Sequence, residues 1–336
     1  MKDLKLKTNL PILLLISIVT CCLILKDSFS DIIYILKETN YFILFIALAI
    51  LLISDYFKSL SLYFISKSNG NNLSKRDSFA LILESNFFNG VTPFALGGQP
   101  FQLFLLKKKN KIDYVDGTNI IYCDYCVYQL TLISLVLILF LLNKIFTFVT
   151  LTPIMNIFLL IGFLVHFVLF LVVVFIATES KKDDKFVYGI IHLLYKVKLV
   201  KDEKKLKEKI SYLKKLIKNF RKNRKLVFIT CVCNALKLIL YGLIPWVCFK
   251  ATGLNVDVIT SIICSIFIWT IASFIPIPGA TGGMEYSFIT MFTVVLYESA
   301  AKSVAFLWRF LTYYLMIIVG AIIFVVVNSK IKNTDE

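Results

Sequence analysis

The chain has 336 residues, of which 58% are hydrophobic, 15% aromatic and only 17% charged, with a formal net charge of +16. So little charge cannot cover the surface of a soluble domain of this size, and the composition points to an all-α polytopic membrane protein forming a single transmembrane domain over 1–336. The positive balance does not indicate nucleic acid: 17 of the 37 Lys and Arg residues lie in the window 179–225, beside membrane spans, where basic charge meets anionic lipid.

In chain order, the opening stretch carries Lys2, Lys5 and Lys7 ahead of an apolar run over about 10–25. It lacks a small-residue cleavage site and reads as an uncleaved first span. Further spans are predicted at about 41–63, 117–142, 153–177, 226–249 and 303–328, giving about six full spans. Two more apolar regions, 78–106 and 257–297, are broken by proline and paired glycines. Between the fourth and fifth spans, Leu206, Ile210, Leu213, Ile217 and Phe220 recur at steps of four and three among lysines. That pattern predicts an amphipathic helix within a basic cytoplasmic loop, 179–225. Its apolar face lies either on the inner leaflet or on the domain's own loops.

The two interruptions read TPFALGGQPF at 92–101 and IPGATGGMEY at 277–286, and both contain P-x-A-x-G-G. Pro93 and Pro278 stand 185 positions apart. The same offset carries span 41–63 onto 226–248 and span 117–142 onto 302–327, and relates Tyr56 to Tyr241 and Tyr128 to Tyr313. We therefore expect two repeat units, about 41–142 and 226–328. Positive charge at Lys67, Lys75, Arg76, Lys107, Lys108, Lys109 and Lys111, and at Lys330 and Lys332, sets both termini and the basic loop on the cytoplasmic side. Regions 78–106 and 257–297 then become re-entrant hairpins entering from opposite faces, an inverted-topology repeat.

Unwound backbone at membrane depth is tolerated where it is buried in protein or lines a wet cavity. The glycines Gly97, Gly98, Gly279, Gly282 and Gly283 would let helix-start N–H groups approach an anionic group such as a lipid phosphate. Gln99 and Gln102, which flank Pro100, add amides. A charge at the centre of a span costs about 2.5–3.5 kcal/mol on insertion scales, so Asp124 and Arg309, again 185 apart, require a reason. Glu285 follows the second motif and Glu84 precedes the first. Arg309 is expected to meet Glu285 or Asp124, as part of a head-group site or as a structural pair. Asp55, Lys58 and Lys237 read as nearer the span ends, where lysine snorkels to the interface. His166 reads as a packed histidine. The eight cysteines read as apolar packing residues; Cys123 and Cys126 form a C-x-x-C without zinc-spaced partners. No motif for a cofactor, a metal or ATP is found.

The stretches NFFNGVTPFALGGQPFQLFLLKKK at 86–109 and IPIPGATGGMEYSF at 275–288 resemble the membrane domain of the lysylphosphatidylglycerol synthase (multiple peptide resistance factor) family, over about 5–328. The resemblance implies a flippase in a bacterial plasma membrane that moves aminoacylated phosphatidylglycerol, a function linked to resistance against cationic peptides. It also implies roles for Glu285 and Arg309, which match the family's glutamate after the second glycine motif and its arginine in the last span. The family's aminoacyl-transferase domain is not expected within these 336 residues. The alternative expectation is a component of lipid aminoacylation working with a separate transferase. Expected partners are membrane lipids and such a transferase; a homo-oligomer is compatible with the sequence but supported by no particular residue.

Overall fold

The computed structural model describes residues 34, 37–92, 97–176, 202–272, 275 and 277–332. Among these the protein is all-α. The helices are α1 (Tyr41–Ser68), α2 (Lys75–Gly90), α3 (Gly98–Asn110), α4 (Tyr114–Phe146), α5 (Pro153–Ile176), α6 (Glu203–Lys222), α7 (Arg224–Ala251), α8 (Val258–Ala272), α9 (Gly283–Phe292), α10 (Glu298–Arg309) and α11 (Met316–Lys332). A short 3-10 turn, Pro278–Ala280, precedes α9, and a π turn, Phe310–Leu315, joins α10 to α11. Among the described residues, five stretches are long and apolar enough to cross a membrane: α1, α4, α5, α7 and the α10–α11 rod. The expected span at 10–25 lies outside the described residues.

Local sequence chemistry sets the starts. Asn40 caps α1 by accepting from the Phe42 N–H, Ser74 caps α2 at Asp77, Asp113 caps α4 at Val115 and Asn223 caps α7 at Leu226. Pro153 opens α5, where its missing N–H costs nothing.

The helix bounds repeat at the 185 offset. Adding 185 to α1 gives 226–253, against 224–251 for α7. Adding it to α2 gives 260–275, against 258–272 for α8. For α3 the sum is 283–295, against 283–292 for α9, and for α4 it is 299–331, against 298–332 for the last rod. The most extensive helix packing is between the equivalent pair α1 and α7. They run in opposite directions. The Asn40 N–H donates to the Ala251 carbonyl at 2.7 Å, Ser54 Oγ to the Lys237 carbonyl at 2.9 Å, and Lys58 Nζ to Asn234 Oδ1 at 3.0 Å. As α1 advances, its partner on α7 recedes. Small buried residues on α1 (Ala47, Ser54, Ser59 and Ser61) allow this close approach.

Each interrupted region forms two helices packed on one another, α2 on α3 and α8 on α9. The first hairpin also leans on the far unit: α2 packs along α11. Gly320 makes that contact close, since a Cβ there would lie 2.4 Å from the Leu83 carbonyl oxygen. Backbone cannot give way as a side-chain tip can. Gly320→Ala is therefore expected to lower stability by about 1–3 kcal/mol, the usual cost of overpacking, read as a lower unfolding midpoint in detergent. An unchanged midpoint would mean that the α2–α11 contact loosens freely.

The amphipathic helix is α6. Leu216, Ile217 and Phe220 are buried, the latter two in one cluster with Ile120 of α4 and Leu226 of α7. Of the two expectations for its apolar face, packing on the protein itself is observed; over this turn the face is consumed by α4 and α7 and is not left for the inner leaflet. Most of its lysines remain exposed. The part of the loop at 179–201 lies outside the described residues.

Candidate functional site

The two hairpins and the spans between them line a half-open cavity of about 650 Å³. Its charged lining is Asp55 and Lys58 from α1, Asp124 from α4, Lys237 from α7 and Arg309 from α10, with His166 of α5 at one side. Gln99 and Gln102 reach it from the first hairpin, and Gly279 and Ala280 from the second.

The second hairpin is built around Arg309. Its Nε donates to Glu285 Oε1 at 2.6 Å, and its Nη2 to the Gly279 carbonyl at 2.9 Å. The other carboxylate oxygen of Glu285 accepts the Gly282 N–H at 2.7 Å, which caps α9. The guanidinium lies 4.3 Å from the centre of the Tyr313 ring. Tyr313 then donates from its hydroxyl to the Gly90 carbonyl at 3.0 Å, the last residue of α2. One arginine thus ties the tip of the second hairpin to the last span, and the tyrosine one turn later ties that span to the first hairpin.

The backbone of the tip needs its glycines. Gly279 has φ +63° and Gly282 φ +88°, in the region that favours glycine, and Ala280 follows Gly279 there at φ +51°. Gly283 is needed for space: a Cβ would meet Ile275 Cδ1 at 1.9 Å. Pro278 opens the 3-10 turn.

At the first hairpin, the Gly97 N–H donates to Thr92 Oγ1 at 2.9 Å and the Gly98 N–H to Asn89 Oδ1 at 2.8 Å. With Gly282 already engaged by Glu285, these three glycine N–H groups are taken by the protein's own side chains. Asn89 and Thr92 at the end of α2 engage the first hairpin's glycines, and Glu285 in the first turn of α9 engages Gly282. Pro93 lies outside the described residues.

Asp124 does not meet Arg309. Its Oδ2 pairs with Lys58 Nζ at 2.6 Å, and Lys58 also donates to Asn234 on α7. Among the described residues its Oδ1 has no hydrogen-bond partner. Asp55 accepts from Asn86 Nδ2 at 2.7 Å. The snorkelling expectation for Lys58 and Lys237 is therefore corrected. Lys237 sits 13 residues after Arg224 and 14 before Ala251, at the middle of α7. Glu84 lies apart from the cavity lining; it is buried and paired with Lys109 at 2.7 Å. His166 is packed as expected, 7% exposed with Nδ1 2.9 Å from Gln129 Oε1, yet it also faces the cavity.

Pseudo-equivalent positions carry equivalent arrangements with different chemistry. Tyr128 and Tyr313 each lie four residues after the charge at 124 or 309, and each ring faces a cation: Lys58 at 4.8 Å and Arg309 at 4.3 Å. Such an arrangement can hold a polar, charged group among largely buried side chains, where each electrostatic contact counts for more than in water.

The sequence matches the family described as the lysylphosphatidylglycerol synthase TM region over residues 11–320. No similar curated protein and no similar solved structure is found.

Proposed function

The chain belongs to the family of the lysylphosphatidylglycerol synthase TM region, and on that premise we propose that this multi-pass membrane protein is a lipid translocase. It would carry the polar head group of a phospholipid, aminoacylated phosphatidylglycerol among them, through the bilayer of a bacterial plasma membrane, with both termini on the cytoplasmic side. The observation that carries the reading is the cavity between the two hairpins, lined by five charged side chains at the depth of the spans. Charges there are costly unless they pair or serve a polar guest. Its volume of about 650 Å³ falls in the range of small-molecule sites, about 300–1,000 Å³. That suits a head group, with the acyl chains left in the surrounding lipid. The antiparallel packing of α1 on α7 supports the reading too, because paired, oppositely directed units can rock about a central site.

The test is translocation in proteoliposomes with fluorescent phosphatidylglycerol and lysylphosphatidylglycerol. Wild type is expected to move at least one of them well above protein-free vesicles, and Asp124→Asn, isosteric and uncharged, to reduce the rate about tenfold or more, the loss of one charge-assisted contact. No movement of either lipid by folded wild type would sink the phospholipid assignment. In that case, co-purification with a soluble aminoacyl-transferase would argue for a role in lipid modification.

A further inference from the structure

Three cations line the cavity, and two of them are used. Lys58 serves Asp124 and Asn234; Arg309 serves Glu285 and the Gly279 carbonyl. The third is Lys237. Among the described residues its ammonium makes no hydrogen bond and no ion pair. Asp55 acts on it only through space, its own Oδ2 being bonded to Asn86.

Aromatic faces surround this ammonium instead. Tyr241 lies at 4.8 Å, Trp269 at 5.2 Å and Tyr128 at 6.0 Å from ring centre to Nζ. The Trp269 indole N–H donates to the Tyr128 hydroxyl at 2.7 Å, which locks two of the three rings together. Rings of this kind attract a cation but accept no strong hydrogen bond from it. They hold the charge in place and leave its donors unspent. The stem cannot carry the charge elsewhere: about 13 residues at about 1.5 Å each separate it from either end of α7, near 20 Å, farther than four carbons reach.

We propose that Lys237 is the anion-binding residue of the cavity and takes a phosphodiester. A compact ammonium with three donors is a point-charge partner for phosphate. Across the cavity Asp124 keeps Oδ1 without a partner among the described residues, which suits a hydroxyl or amine on the same guest. The ligand class is then a phosphodiester bearing a hydrogen-bond donor. The inference deepens the translocase reading, because it assumes that the guest of this cavity is a head group.

The test is equilibrium binding to the purified full chain in phosphate-free buffer, which requires no transport. The probes are short-chain phosphatidylglycerol, the matching uncharged diacylglycerol, soluble glycerophosphoglycerol and inorganic phosphate. Lys237→Gln is expected to weaken phosphatidylglycerol about tenfold or more, Lys237→Arg to restore most of the loss, and the uncharged lipid to bind all three proteins alike. Glycerophosphoglycerol binding with the same Lys237 dependence supports a head-group site. Binding of inorganic phosphate alone would overturn the phosphodiester class. Lys237→Gln binding phosphatidylglycerol like wild type, or losing the uncharged lipid to the same extent, would overturn the role of Lys237. If the Lys237-dependent binding holds while wild type moves no lipid in vesicles, the translocase reading fails and the anion site stands.

Discussion

Arg309→Met is expected to destabilise the folded chain by about 3–5 kcal/mol, because it leaves a carboxylate buried without its partner. Both members of the pair are almost fully buried: Arg309 is 3% exposed and Glu285 4%. The guanidinium spends two of its donors on groups that have no other hydrogen-bond donor among the described residues, Glu285 Oε1 and the Gly279 carbonyl. Removing it uncovers both. The remedy is equally informative. In the double variant Glu285→Gln/Arg309→Met, the uncompensated charge is gone and an amide oxygen still accepts the Gly282 N–H. This variant is expected to recover more than half of the loss, since two neutral side chains avoid the cost of a lone buried charge. Denaturant unfolding of wild type, both single variants and the double variant in one detergent gives the coupling directly. Equal losses in the single Arg309→Met and the double variant would mean that the arginine acts through the Gly279 carbonyl and Tyr313, and not through the ion pair.

Much of this architecture is legible in the sequence because it rests on spacing. The 185 offset between Pro93 and Pro278 aligns the spans on either side, and the helices follow the same offset to within a few residues. Helix caps such as Asn40, Ser74, Asp113 and Asn223 are short-range signals. The Arg309–Glu285 pair is legible as well, since a charge in a span demands a partner and the candidates are few. The cations of α1 and α7 are harder to read. Span 41–63 ends five residues before helix α1 does, at Ser68, which pushes Lys58 toward an interface it does not reach. Lys237 falls at the centre of span 226–249 and could have been found by that position alone; the rings that hold it come from α4, α7 and α8, and no local pattern brings them together. The pairing of Asp124 with Lys58, and not with its pseudo-equivalent Arg309, depends on how α1 crosses α4. Likewise Asn89 and Thr92 satisfy Gly98 and Gly97 because the hairpin folds back on itself, whereas sequence alone leaves those N–H groups looking free.

Gly279→Ala is expected to reduce lipid translocation by about tenfold or more while the protein remains folded. Two effects act at this residue and can be separated. The first is backbone strain: an L-residue at φ +63° costs about 1–2 kcal/mol. The second is a collision, since a Cβ would lie 2.2 Å from Tyr313 Cε2 and 2.7 Å from its hydroxyl oxygen. That ring cannot turn aside cheaply. Its face carries the Arg309 guanidinium and its hydroxyl holds the Gly90 carbonyl of the first hairpin. Displacing it cuts the bridge between the two hairpins at the wall of the cavity. Gly253 supplies the control, with φ +72° and nothing within 4 Å of the Cβ position. Gly253→Ala meets the strain without the collision, so it should cost a similar 1–2 kcal/mol and leave translocation near wild type once folded protein is normalised. A Gly279→Ala protein that transports as well as Gly253→Ala would show that the Tyr313 bridge is dispensable. A selective loss in Gly279→Ala that Tyr313→Leu reproduces by itself, and that combining the two does not relieve, would assign the defect to the lost Tyr313 bridge; relief in the double variant would show that the bridge is dispensable.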